Sequence, residues 1–300
     1  MPETVWLMRI LFAIPHYFIP DGTGLHGSDG GSAERRARAT RLCLAALQQN
    51  FSESQGLTDG RGGVRIHGAN PNFAATITIA LCTTGDRHLV PDLAGCPFNH
   101  IRTNADPPYL GFECHKVLRS GLGRYDYFGY LEDDLRLADG LFFHKLAWFN
   151  REFGDEAVLQ PNRFEIIDEP APYKLYIDGN LSDPTITPAL QRIDEQRHIA
   201  ATAFGQPLAF QRVDNPHSGC FFLAAAQLER WAAQPDFAAP SVRLFGSLES
   251  AATLGITQYF RAYKPARENA AFLEIEHLDR RYLGRILHPV PGQPSALRLG

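Results

Sequence analysis

The sequence predicts an α/β fold, a mixed sheet flanked by helices in one continuous domain. Three observations carry this expectation. Short apolar runs that suit buried strands recur along the chain, segments of helical periodicity separate them, and no internal repeat or clear linker divides the 300 residues. A chain of this length buries a large core. Its 44% hydrophobic and 21% charged content is that of an ordinary soluble globular protein.

The first strand is "LMRILFAI", which stops at Pro15. The apolar run around it carries Arg9 and is too short to span a bilayer. It also lacks the basic region and small-residue cleavage site of a signal peptide, so a cytoplasmic protein with no transmembrane segment is expected. The turn-rich loop "PHYFIPDGTGLHGSDGGS" leads to Ser32, a helix cap for residues 33–50, where Leu42, Leu44 and Leu47 recur at roughly helical spacing. Residues 52–72 form a polar, Gly-rich connection with room for a short hairpin. The strand "AATITIALCT" follows, then a short strand near "FNHIRT" and a helix over "PYLGFECHKVLRSGL" that ends in glycine.

Next comes the strand "YDYFGYL", with the consecutive carboxylates Glu132, Asp133 and Asp134 at its carboxyl end. Asp139 is a candidate cap for the helix "GLFFHKLAWFNREF". The second half alternates less regularly. It reads as a strand "NRFEII", a helix near "TPALQRIDEQRHIAATAF", a strand "LAFQRV" and a strand-to-helix passage "HSGCFFLAAAQLERWAAQ". A short helix "SLESAATLG", a strand "AFLEIEHL" and a Pro-rich tail from Pro289 complete it.

Composition excludes several functions. A net charge of −4 offers no basic face for nucleic acid, and an anionic ligand would need local positive charge or a metal. The five cysteines are dispersed without a C-x-x-C pair, so they read as buried thiols rather than zinc ligands or disulfides. "GTGLHG", residues 22–27, matches G-x-G-x-x-G, but extra residues separate it from both strand and helix and no strand with an acidic residue follows at dinucleotide-binding distance. A substrate loop is the more economical reading. No G-x-S-x-G nucleophile elbow occurs.

The acidic triplet carries the most chemistry. Open α/β sheets bind ligands beyond the carboxyl ends of their strands. Three adjacent carboxylates there repel by roughly 1 kcal/mol per pair even in high dielectric, and a hard divalent cation would offset that repulsion. Mg²⁺ or Mn²⁺ prefers oxygen ligands, often one or two carboxylates with substrate phosphates completing the shell.

An acidic motif at the end of a core strand resembles the DxD-type motif of the GT-A glycosyltransferases. The resemblance implies a GT-A-like, Rossmann-like single domain over residues 1–300. Its nucleotide-sugar-binding half would span about 1–150, its acceptor-binding half about 151–290 and its tail 289–300. It implies metal-dependent transfer of a sugar from a nucleotide diphosphate donor, with a UDP-sugar expected, to a glycan or other hydroxyl acceptor. Peripheral membrane contact is compatible with such an activity.

Residue by residue, the resemblance makes Asp134 a metal ligand, Asp133 a second ligand or donor contact, and Glu132 a donor contact. His277, after a predicted strand, corresponds to the C-terminal histidine that completes the metal shell in many members, with His288 as a weaker rival. Glu249 in "GSLESAATLGI" occupies the place of the catalytic base of inverting members, so inversion is expected. "DNPHSGCFFL" resembles the acceptor-side segment, making Asp214, His217 and Ser218 pocket candidates. Pro15, His16 and Tyr17 would line the pocket for nucleotide base and ribose, while Arg102, or Arg35 and Arg36, would meet phosphate.

Each residue also has a plainer structural explanation. An acid in a first helical turn is favoured by the macrodipole, aromatic residues at a strand end are often core edge, and a basic helix face is usually solvated. Two other functions compete. A sugar nucleotidyltransferase shares a similar architecture but wants a basic phosphate loop after the first strand, where "PHYFIPDGTG" offers only His16. A non-catalytic carbohydrate- or Ca²⁺-binding protein would use the acids for binding alone.

Overall fold

The computed structural model describes residues 7–20, 31–60, 64–167, 172–181, 183–279 and 282–283. Strand β1 (Met8–Pro15) leads to helix α1 (Ala33–Phe51), whose cap Ser32 accepts the Arg35 N–H at 3.3 Å, as its position in the sequence predicts. The Gly-rich connection contains the hairpin β2 (Gly56–Asp59) and β3 (Arg65–Gly68). Strands β4 (Ala75–Thr84) and β5 (Asn99–Thr103), helix α2 (Leu110–Ser120) and strand β6 (Tyr127–Leu131) follow as expected. After the acidic turn come β7 (Leu135–Arg136) and helix α3 (Phe142–Phe153), before which the Asp139 carboxylate accepts the Leu141 N–H at 2.9 Å.

The second half contains β8 (Ala157–Leu159), β9 (Asn162–Ile167), β10 (Tyr173–Tyr176), a short helix α4 (Ile186–Leu190), β11 (His198–Ala203) and β12 (Gln206–Gln211). Then come β13 (Cys220–Ala224), α5 (Ala225–Ala232), α6 (Ser247–Tyr259), β14 (Arg261–Pro265) and β15 (Glu274–His277). The helix expected near 187–204 is a correction, because only α4 is helical and "HIAATA" is β11. It pairs antiparallel with β12 across the turn at Phe204 and Gly205, whose φ values of 53° and 71° are the consecutive positive angles of a tight hairpin turn. Tertiary pairing overrides the helix preference of its alanines.

The central sheet has the order β13-β6-β1-β4-β5, parallel except for β13, which runs antiparallel to β6. Because β1 is covered on both faces, it is apolar throughout its buried length. Its alternation sends Ile10, Phe12 and Ile14 toward Leu44 and Leu47 of α1 and Phe143 of α3, while Leu11 and Ala13 share the other core with Leu118 of α2, Trp231 of α5 and Ile256 of α6. The chain is therefore α/β with helices on both faces of a mixed sheet. Two four-stranded sheets, β10-β9-β15-β7 and β11-β12-β14-β8, and the β2-β3 hairpin complete the described strands. Pairing of β15 with β7 places His277 opposite Leu135, the residue after the acidic triplet.

All five cysteines are free, and four of them are buried. Among the described residues, no helix is long and apolar enough to cross a membrane.

Candidate active site

The apolar residues of β6 carry the chain through the core and deliver Glu132, Asp133 and Asp134 at the carboxyl end of the parallel strands. The turn is tied by the Glu132 N–H to the Gly219 carbonyl at 3.0 Å and by the Leu278 N–H to the Asp134 carbonyl at 2.9 Å. A cavity of about 740 Å³ opens there, with all three carboxylates in its lining. Gly219 approaches so closely, at φ 62°, that a Cβ would come within 2.8 Å of Glu132 Oε2.

The three acids have distinct surroundings. Asp133 is saturated by the protein, since Oδ2 accepts from His16 Nδ1 at 2.5 Å and Thr40 Oγ1 at 3.1 Å, and Oδ1 pairs with Arg36 Nη2. His16 Nε2 accepts the Leu89 N–H at 3.0 Å, so Nδ1 carries the proton that Asp133 receives. Asp134 accepts from Arg36 Nη1 at 2.9 Å through Oδ2, whereas its Oδ1 is buried with no hydrogen-bond partner among the described residues. Burial pushes the Asp134 carboxyl up, but Arg36 and then His277 outweigh it and hold the group below the usual carboxylate value. Burial, reinforced by Asp134, pushes Glu132 up to about 8. Much of the repulsion expected in the triplet is thus relieved by Arg36.

Asp134, His277 and Asp279 offer ligand atoms that all lie within 4.8 Å of one another. His277 Nε2 is 4.0 Å from Asp134 Oδ2. Behind the ring, Glu165 Oε1 lies 2.8 Å from His277 Nδ1, and the same carboxylate accepts the Tyr282 and Leu283 N–H groups at 3.3 and 2.7 Å. Burial pulls the His277 pKa down, but the Glu165 hydrogen bond and Asp134 outweigh it and raise the value. An orphaned buried carboxylate oxygen, a second carboxylate and an imidazole backed by a carboxylate fit a divalent cation. Asp133 lies outside this cluster, and both of its oxygens already have partners. Asp279 was missed, although it stands two residues beyond His277.

Glu249 sits in the first turn of α6 and lines the same cavity. Its carboxylate folds over Gly246, where a Cβ would approach Oε2 to 2.9 Å. The helix is anchored by its buried residues Ala251, Ala252 and Ile256. His217 also lines the cavity, with Nδ1 3.0 Å from Thr253 Oγ1 on α6. Burial first, then the cationic Arg163, holds His217 well below an ordinary histidine.

Other expected residues divide between lining and support. Pro15 and Tyr17 line the cavity, while His16 is buried behind Asp133. Asp214 and Ser218 are outside the lining. The Asp214 carbonyl accepts from Thr187 Oγ1, and Ser218 Oγ donates to the Pro161 carbonyl at 2.8 Å. Arg102, on edge strand β5, is exposed and outside the lining. Arg35 is also exposed, with Nη2 3.9 Å from Asp279 Oδ1. His288, the 22–27 glycine motif and the 289–300 tail lie outside the described residues.

Arg163 lines the cavity without a local signal in the sequence, and Asn215, inside the acceptor-side segment but not singled out there, lines it too. Arg163 is held by Asp178 at 2.8 Å, and the buried Lys264 joins them through Asp178 and the His217 carbonyl, each at 2.7 Å. Burial pushes the Asp178 carboxyl up, but Arg163 and Lys264 outweigh it and bring the value to about 2.

No protein-family model and no curated protein matches this chain. Among solved structures, Staphylococcus aureus TarS 1–349 aligns with a TM-score of 0.41 and 10% identity, over 86% of this chain and 58% of that one. TarS 1–349 in complex with UDP-GlcNAc aligns at 0.42 and 8%, over 86% and 56%. CMP:2-keto-3-deoxy-manno-octonic acid synthetase complexed with CTP aligns at 0.36 and 12%, over 86% and 90%. The chain thus spans less than two thirds of the TarS chains. With scores below 0.5, these likenesses carry no argument about activity, and the α/β class rests on the sheet and its flanking helices.

Proposed function

We propose that this chain is a metal-dependent glycosyltransferase of the GT-A type, transferring a sugar from a UDP-sugar to a hydroxyl acceptor with inversion. One observation supports the reading above all: the Asp134, His277 and Asp279 cluster opens on the same cavity as the carboxylate of Glu249. Those three side chains would hold Mn²⁺ or Mg²⁺, which when bound supplies Lewis-acid stabilisation of a diphosphate leaving group.

The chain's own residues account for the remaining work. Arg36 fixes the Asp134 carboxylate and Glu165 orients His277. Pro15 and Tyr17, at the exit of β1, take the nucleoside end of the donor, and His217 and Asn215 face the acceptor. As the acceptor oxygen bonds to the anomeric carbon and the bond to the diphosphate oxygen breaks, the acceptor proton passes to Glu249. Such general-base assistance is worth roughly 10²–10⁴-fold in rate.

The test is a panel of nucleotide sugars, scored for Mn²⁺-dependent thermal stabilisation and slow donor hydrolysis. Both effects are expected with a UDP-sugar, and their absence across the panel overturns the reading. Pyrophosphate release from a nucleoside triphosphate and a sugar phosphate would assign a nucleotidyltransferase instead.

A further inference from the structure

The loop before α6 holds a bulky side chain in a backbone conformation that glycine favours. Phe245 has φ 56°, in the left-handed region where a large aromatic residue is a genuine outlier. It is also 54% exposed, yet belongs to the lining of the main cavity. Strained positions persist only where their surroundings over-determine them, and here they do. The Gly246 N–H donates to the Leu244 carbonyl at 2.6 Å and the Ser250 N–H to the Gly246 carbonyl at 3.1 Å. The Leu244 N–H donates to Ser250 Oγ at 3.0 Å. The ring is therefore carried on a tied loop, one residue before the glycine over which the Glu249 carboxylate folds.

We propose that Phe245 is the platform of an acceptor subsite that takes a saccharide ring. The inference deepens the glycosyl-transfer reading and rests on it for the word acceptor. A pyranose presents C–H groups on a face and hydroxyls around its edge. The negative π-face of an exposed aromatic ring complements the first, and a few convergent polar groups complement the second. Phe245 supplies the ring, while Asn215 and Glu249, in the same lining, supply the polar groups. Pro107, Pro108 and Leu248 extend the apolar side. The Asn215 amide donates to the Gly179 carbonyl at 3.0 Å and accepts the His217 N–H at 3.3 Å, which fixes it in place and leaves its second N–H for the ring's edge. An alkyl chain would offer nothing to that N–H or to the Glu249 carboxylate, whereas a sugar ring uses both kinds of surface. Glu249, next to the platform, is placed to receive a proton from a hydroxyl on that ring's edge.

The test needs neither donor, metal nor turnover, so its outcome is readable even if the glycosyl-transfer reading fails. Dissociation constants for cellotriose, maltotriose, mannotriose and chitotriose, with octyl phosphate as a non-sugar probe, are measured by saturation-transfer NMR on the full chain and on Phe245→Ala, Phe245→Gly and Phe245→Trp. At least one trisaccharide should bind the wild type, weaken tenfold or more in the Ala and Gly variants, and recover in Trp. The Gly variant should have an unchanged or higher Tm, because glycine adopts φ 56° without strain, which separates lost binding from lost fold. Absence of trisaccharide binding to the wild type, equal binding by the Ala variant, or loss of octyl phosphate binding alone overturns the proposal.

Discussion

Glu165 Oε1 lies 2.8 Å from His277 Nδ1, and this contact decides which imidazole nitrogen is available to the acidic turn. Both Glu165 oxygens already accept backbone N–H groups, so the carboxylate acts as an acceptor and Nδ1 carries the proton. Nε2, 4.0 Å from Asp134 Oδ2, is therefore the nitrogen that can serve as a ligand once it gives up its own proton. Glu165→Gln should therefore weaken Mn²⁺ binding by ~10–100-fold, the usual effect of removing a partner behind a metal-bound histidine. Isothermal titration with Mn²⁺ checks this, and unchanged affinity would remove His277 from the shell.

Asp133 and Asp134 are adjacent but should respond differently to the same change. Asp134→Asn should abolish Mn²⁺ binding seen by electron paramagnetic resonance, because the unpartnered Oδ1 belongs to this residue. Asp133→Asn should leave that signal in place and lower stability by about 3–5 kcal/mol, since it strips a buried partner from Arg36 and His16. Urea denaturation measures the second effect. The reverse pattern would exchange the two roles.

Glu249→Gln should bind donor and metal normally while turnover falls by ~10²–10⁴-fold, as expected when a general base is lost but the cavity keeps its shape. Proton NMR of the first-formed product should show the anomeric configuration inverted. Near-normal turnover by the Gln variant, or a retained configuration, would take Glu249 out of the base role.

Stability should fall on mild acidification. His115 is buried among aromatic rings, 4.9 Å from Trp231 and 5.5 Å from Phe112, and its Nε2 is 2.9 Å from the Ala251 carbonyl. Burial brings its pKa down from 6.5 to about 4. The unfolded chain takes up the proton first, so stability is lost as pH falls from about 6.5 toward 4 and levels off below, by about 3 kcal/mol in total. His115→Leu should flatten that part of the profile in urea titrations between pH 7.5 and 4.5. Some slope remains from His217, which burial also holds low.

The sequence by itself determined the elements whose signals are local. The apolar run of β1, the Ser32 cap of α1, and β6 with carboxylates at its carboxyl end follow from strand patterning and capping chemistry within a dozen or so residues. The same local logic failed at 187–204, where alanine-rich sequence suggested helix but pairing with β12 made β11. It could place the three acids together but not rank them. Only the tertiary structure decided that Arg36 and His16 would saturate Asp133, that one oxygen of Asp134 would remain unpartnered, and that Glu165 would stand behind His277. His16 and Asp133 are 117 residues apart and Glu165 and His277 are 112 apart, so no periodicity or spacing encodes those pairs. They form because strand order brings β1 beside β6 and β15 beside both β7 and β9. Buried polar atoms then take whichever partners that packing supplies, since leaving them unpaired costs more than any local preference can offset.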